Sequence, residues 1–270
     1  MSTHVTSAKI LVSAVISIAC TSSIAAMNET EPISTDRPDF VESSYVVGNG
    51  RFQIETGLAV ERFKQTQFKN RTTTTPTLLR LGISDDWELR LETDGRTWFH
   101  NKDQINQTAL SQRGYSDIAL GTKWHWQDQL DAAPSIGVLA HVDLPSGSNE
   151  FKGKGARPSL RIVYEWELPL DLSLGVEHGL LYDNTDQGKR FASGIFGITV
   201  AKSWTDQFRT FIEFAAPQIA RSAYGGTLAS LDVGAAYLLT NDIQIDTTVT
   251  RGLNRRSADW TWGIGVSLRF

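Results

Sequence analysis

The clearest regularity in the chain is a period of two. Phe52, Ile54, Thr56, Leu58 and Val60 alternate with Gln53, Glu55, Gly57, Ala59 and Glu61. Trp87, Leu89, Leu91 and Thr93 alternate with Glu88, Arg90, Glu92 and Asp94, and Leu160, Ile162, Tyr164 and Trp166 with Arg161, Val163, Glu165 and Glu167. Successive side chains of a strand point to opposite faces, so each run predicts a strand with one apolar face and one polar or small face. Weaker or partial runs cover Thr74–Ile83, Asp117–Trp126, Ser135–Asp143, Asp171–Tyr182, Phe191–Lys202, Phe208–Ala215, Leu231–Leu239 and Ile243–Thr250. The last run, Trp260 to Phe270, sets Trp260, Trp262, Ile264, Val266, Leu268 and Phe270 against Thr261, Gly263, Gly265, Ser267 and Arg269. The pattern predicts about twelve strands of roughly nine to thirteen residues, the length a tilted membrane strand needs.

The connections alternate as well. Ser84–Asp86, Gln127–Asp131, Pro169–Asp171, Thr205–Gln207 and Thr240–Asp242 are tight. Gln65–Arg71, His100–Gly114, Pro145–Ala156, Asp183–Arg190, Pro217–Gly226 and Gly252–Asp259 are longer. Short turns at one rim and long loops at the other are expected of a membrane barrel, and a soluble sandwich has no reason to keep that alternation. All eight tryptophans fall near strand ends. Trp87, Trp124, Trp126, Trp166 and Trp204 lie by the short turns and Trp98, Trp260 and Trp262 by the long loops, as two interfacial girdles would require. The predicted fold is all-β: an antiparallel transmembrane β-barrel of about 12 strands with short periplasmic turns and longer extracellular loops.

Composition narrows the partners. Lys9, the apolar run Ile10–Ala19 and the small residues Ser23–Ala26 read as a secretory signal over residues 1–26. Lipidation at Cys20 is the alternative, against which Ser17-Ile18-Ala19 is a poor lipobox. Removing the signal takes away Lys9, leaving 25 Lys and Arg against 30 Asp and Glu, a formal charge of −5. That acidity argues against nucleic acid as a partner. Cys20 is the single cysteine, so no disulfide framework is expected. Residues 27–49 are polar and aperiodic with Pro32 and Pro38, and predict an N-terminal extension that stays outside the sheet or plugs the lumen through Asp36, Arg37 and Asp39. Residues 50–270 form the barrel.

The polar face carries the candidate chemistry: Glu55, Arg80, Glu88, Arg90, Glu92, Asp117, Lys123, Arg161, Glu165, Arg209, Glu213 and Asp232. An Arg or Lys on the lipid face costs about 2–4 kcal/mol near the midplane, so these groups are expected to line the lumen. Two readings stay open. The charges tune a water-filled conduit, or they pair with one another and fill a closed barrel. A lipid hydrolase would need a serine and a histidine together, with His141 beside Ser135 or Asp143, and His178 near Ser173, as candidates. Parity sets His178 on the lipid face, and structural histidines are the simpler reading. No metal-ligand spacing is present, Gly147–Gly155 departs from a P-loop, and no catalytic residue or cofactor is expected.

An aromatic residue closing an alternating C-terminal strand resembles the signal that outer-membrane barrels present to the barrel-assembly machinery, here Phe270. Several elements resemble a family of outer-membrane transporters named for the MetA pathway of phenol degradation. They are Ser34-Thr35-Asp36-Arg37-Pro38-Asp39-Phe40, Gly50 to Gly57, Leu78-Leu79-Arg80 with Gly82, Asp85 to Arg90, Asp117 with Gly121–Lys123, and His141 to Gly147. The resemblance implies an outer-membrane location and passive passage of small molecules, aromatic or hydrophobic compounds among them. A closed barrel acting structurally or adhesively through its loops is the alternative.

Overall fold

The computed structural model describes residues 31–185 and 187–270; the expected signal peptide, with Cys20, lies outside the described residues. Its strands are β1 (Phe52–Lys64), β2 (Phe68–Thr74), β3 (Thr77–Gly82), β4 (Trp87–Thr93), β5 (Arg96–Asp103), β6 (Thr108–Tyr115), β7 (Ile118–Gln127) and β8 (Ser135–Leu144). They continue with β9 (Arg157–Leu168), β10 (Leu172–Asn184), β11 (Arg190–Ser203), β12 (Phe208–Ile219), β13 (Leu228–Thr240), β14 (Ile243–Gly252) and β15 (Trp260–Arg269). All are joined in one antiparallel sheet, and β15 closes it by pairing with β1 from Gln53↔Arg269 to Arg62↔Trp260. β2 with β3, β4 with β5 and β6 with β7 are each one stave with a two-residue break, which makes a closed barrel of twelve staves.

The three breaks lie side by side. The Thr75 amide donates to the carbonyls of Asp94 and Arg96, and the Ser116 amide to that of Gly95. Pro76 has no amide hydrogen for the ladder. Gly95 takes a φ of 64°, and a Cβ there would sit 2.4 Å from the Thr75 carbonyl oxygen. Beyond the breaks, the upper part of β1 continues with β2, β5 and β6 as a ribbon whose last strand pairs with β5 alone. This corrects two expected loops, because residues 68–71 of Gln65–Arg71 and residues 100–103 and 108–114 of His100–Gly114 are strand. The ribbon stands past the apolar band, its faces mix polar residues with Phe63, Trp98, Phe99 and Leu110, and it lacks the alternation that marks the other strands.

Burial is inverted relative to a water-soluble protein. Arg80, Lys123, Glu55, Glu88 and Glu177 are completely buried, whereas Leu89, Leu120, Ile198, Ile212, Val233 and Ile264 are exposed. An apolar exterior around a charged interior is stable only with lipid outside. Tryptophans pack at its edges: Trp87 on Trp124 and Trp124 on Trp126 at the short-turn rim, and Trp260 on Trp262 at the other. The chain is an outer-membrane β-barrel.

Candidate functional site

The lumen is occupied by residues 31–49. The segment starts and finishes at the short-turn rim: the Ile33 amide donates to the Asn241 carbonyl, and the Gly50 amide to that of Gly82. Between these points it follows no regular secondary structure, so its amide hydrogens need outside acceptors. Barrel carboxylates supply them. Glu55 accepts from the amides of Asp36 and Arg37 at 3.0 Å each. Glu213 accepts from Phe40 and Val41 at 2.8 Å each. Glu177 takes the Glu42 amide, Glu165 that of Ser44, and Glu88 that of Val47. In return, Arg80 donates to the carbonyls of Ser34 and Tyr45, and Lys123 to that of Ser43.

The side-chain charges of the segment match the wall each one faces. Arg80, Arg90 and Lys123 stand on the neighbouring strands β3, β4 and β7, with Arg161 following on β9. Asp36 reaches Arg90 at 2.6 Å, Lys123 at 2.7 Å and Arg80 at 3.3 Å. Glu42 reaches Arg90 at 2.6 Å and Arg161 at 3.1 Å. Glu88 and Glu55 complete this half by pairing with Arg80 at 2.8 and 3.0 Å. The opposite wall is acidic, with Glu177, Glu213, Asp232 and Asp246 on β10, β12, β13 and β14. There Arg37 meets Asp246 at 3.1 Å, while Asp39 meets the cation of that side, Arg209, at 3.2 Å. Buried charges are tolerated where they are paired or hydrogen-bonded; most of these are ion-paired, while Glu213 and Asp232 rest on hydrogen bonds alone.

Space for the segment comes from glycines on the inward face. Gly57 and Gly265 are register partners on β1 and β15, and a Cβ on either would meet the Arg37 guanidinium at 2.7 or 2.3 Å. A Cβ at Gly197 would meet Val41 and Phe40, and one at Gly137 would come within 2.8 Å of the Ser44 backbone. Val41 packs with Phe40 on inward-facing Leu139 and Val163, a small apolar core inside a charged lumen.

Nine of the twelve residues expected on the lumen face bond the segment directly, and Glu92, Asp232 and Asp117 are placed apart from it. Glu92 sits nearer the long loops, beside Arg161 and Asp94 in a cavity of about 430 Å3. Asp232 is buried beside Glu213 in register and accepts from Ser230. Asp117 lies at the break between β6 and β7. It accepts from the amides of Gly147 at 2.8 Å and Gly153 at 2.9 Å and from Arg157 at 3.0 Å, fastening the 145–156 loop to the wall. Burial pushes its carboxyl up, but these amides and Arg157 more than offset that and hold it below its ordinary value. Sequence reasoning missed Glu42, Ser44 and Glu177. The inward parity of Gly137, Leu139, Val163 and Gly197, small or apolar on a charged face, was the available signal.

Neither serine–histidine pair is assembled. His141 is buried and its Nε2 accepts from Arg90, while Ser135 bonds Ser44. His178 faces outward and stacks on Tyr164, on the opposite side of β10 from Ser173. Among the described residues no group of three His, Cys, Asp or Glu could hold a metal ion.

A second cavity, of about 340 Å3, opens at the short-turn rim and is lined by Thr35, Asp39, Tyr45, Glu165 and Arg209 among others. It shares no lining residue with the cavity beside Glu92. With this layout in view, residues 35–270 match the family described as "Putative MetA-pathway of phenol degradation". The chain belongs to this family. Among solved structures, the COG4313 outer membrane channel from Pseudomonas putida F1 is similar at 10% identity and a TM-score of 0.65, over 84% of this chain and 98% of that one. The β domain of the Bordetella autotransporter BrkA is similar at 9% identity and 0.52, over 82% and 99%. The KdgM porin follows at 10% identity and 0.50, over 81% and 99%. At these identities what is shared is the barrel fold. No curated protein sequence matches the chain.

Proposed function

We propose that this family member is an uncoupled outer-membrane channel for small molecules, closed in this conformation by its own residues 31–49. Aromatic or other hydrophobic compounds are the solutes its family description points to. The observation that carries the reading is the pair of cavities at opposite mouths, separated by a segment held largely by ion pairs and hydrogen bonds. Ile33, Phe40, Val41 and Val47 supply its apolar packing, and much of the rest of the contact is ion pairs and amide–carboxylate bonds.

Single-channel conductance in a planar bilayer tests this, with the mature protein and a variant lacking residues 31–49. Brief openings in the intact protein and steady steps after truncation are the expected result. Silence in both forms, with folding verified by heat-dependent gel mobility, would overturn it and favour a closed barrel that acts through its loops.

A further inference from the structure

The outward face of the ribbon beyond the strand breaks carries a second assembly, unrelated to the lumen. Register places its side chains in rows. Trp262, Val60, Thr73 and Trp98 occupy one row across β15, β1, β2 and β5. The next row reads Trp260, Arg62, Arg71 and His100, and the one beyond it Lys64, Lys69 and Lys102. Arg113 on β6 lies opposite Trp98. Strand geometry sets neighbours in a row about 5 Å apart and outward rows about 7 Å apart. Arg62, Lys64, Lys69, Arg71, Lys102 and Arg113 are all exposed, and among the described residues none of the six is ion-paired. The outward positions of these strands hold no carboxylate: Glu61 and Asp103 point the other way, and Asp259 at the edge accepts the Lys64 backbone amide. Two shallow grooves of about 320 and 480 Å3 run between the rows and share Arg71 and His100.

The position of the patch says what covers it. Its lower boundary is the aromatic girdle, where Arg62 lies over Trp262 at 5.1 Å and Arg96 over Trp98 at 5.5 Å and Tyr115 at 5.2 Å. Tryptophan and tyrosine mark the depth at which acyl chains give way to headgroups, so the cations one and two rows farther out stand at headgroup level of the outer leaflet. Six unpaired cations on a lipid-facing surface repel one another unless an anion lies among them. We propose that this face binds the phosphorylated headgroup of an outer-leaflet glycolipid, with the acyl chains lying along the apolar wall below Trp98 and Trp262. Arginine and lysine together suit phosphate, by forked and point-charge contacts respectively.

Native mass spectrometry of the full mature protein in detergent tests the assignment, using lipid A, fully dephosphorylated lipid A and inorganic phosphate as probes. The wild type is expected to retain lipid A, to bind the dephosphorylated lipid about 10-fold or more weakly, and to release neither on addition of millimolar inorganic phosphate. Replacing Arg62, Lys69, Arg71 and Lys102 together by Gln is expected to lower lipid A retention about 10-fold or more. Replacing Lys152, Lys154 and Lys189 at the long-loop rim by Gln is expected to leave it unchanged. Both variants are checked for folding by heat-dependent gel mobility. Equal retention of the two lipids by the wild type would overturn the proposal, as would unchanged retention by the folded quadruple variant. Displacement by inorganic phosphate would also overturn it, marking a site for free anions instead.

Discussion

At the scale of single residues, the most consequential group is Asp36. Its carboxylate is shared by Arg80, Arg90 and Lys123, and removing one partner of a buried charge set costs about 3–5 kcal/mol because the others are left uncompensated. That cost falls on docking of the segment, since the strand pairing that holds the barrel does not involve Asp36. A cysteine at Ser44, which is completely buried, reports the docking in a mature chain that otherwise lacks thiols. Maleimide labelling of Ser44→Cys is expected to be slow, and to accelerate about 10-fold or more when Asp36→Ala is added. Unchanged labelling would show that the segment is held chiefly by its backbone bonds. Asp117 makes a prediction in pH. Its pKa is depressed in the fold, so the stability it lends the 145–156 loop is present above the ordinary aspartate value of 3.8 and is lost as pH falls below it. Protease cleavage within 145–156 is expected to rise below that value in the wild type, and to be already high at neutral pH in Asp117→Asn. The identities of Asp36, Arg37 and Asp39 were legible as candidates because they are charged residues in an otherwise structureless leader. Glu42 and Ser44 were not, because nothing in a local pattern says which irregular residue will meet Arg161 or Ser135 across the lumen.

At the scale of elements, the staves were legible wherever one face meets lipid, because that solvent enforces strict alternation. The same physics hid the ribbon: β2, β5 and β6 lie past the acyl chains and keep mainly their hydrogen-bond ladder, which leaves no strict alternation in hydropathy. The course of the segment left a fainter mark, in inward positions too small for a charged wall. Gly137 on β8 is an exacting one, because a side chain there would strike the backbone of Ser44 rather than a movable side chain. Gly137→Val is expected to leave the barrel folded and to expose Ser44→Cys to maleimide as strongly as the loss of Asp36. Gly194→Ala on β11 is the matched control, since its Cβ would meet only Ile219 at ordinary contact distance and its labelling should match the parent. Equal, slow labelling in both would mean that the segment can shift along the lumen without leaving it.

At the scale of the whole molecule, the barrel interior gathers its cations on β3, β4, β7 and β9, where Arg80, Arg90, Lys123 and Arg161 stand among Glu88, Glu92 and Glu165, and is acidic from β10 to β14; the segment is a complementary insert in that field. Residues 31–49 bring Glu31, Asp36, Asp39 and Glu42 against Arg37, a net charge of −3. Glu31 is exposed at the short-turn rim, so removing the segment makes the interior more positive by two charges, Asp36 and Glu42 beside Arg80, Arg90 and Lys123. Low-dielectric walls concentrate such a field on a permeating ion, so the vacated lumen should favour anions more than the intact protein does in its brief openings. The reversal potential of the truncated channel under a potassium chloride gradient reads this directly. Substituting Arg90 and Lys123 by Gln in the truncated background is expected to move that potential toward cation preference. Substituting Arg251 and Arg255, which lie at the long-loop rim outside the field, should not move it. A truncated channel indifferent to Arg90 and Lys123 would mean that ions pass along the acidic wall instead. The pairing of Asp36 and Glu42 with the cationic wall would then serve only to dock the segment.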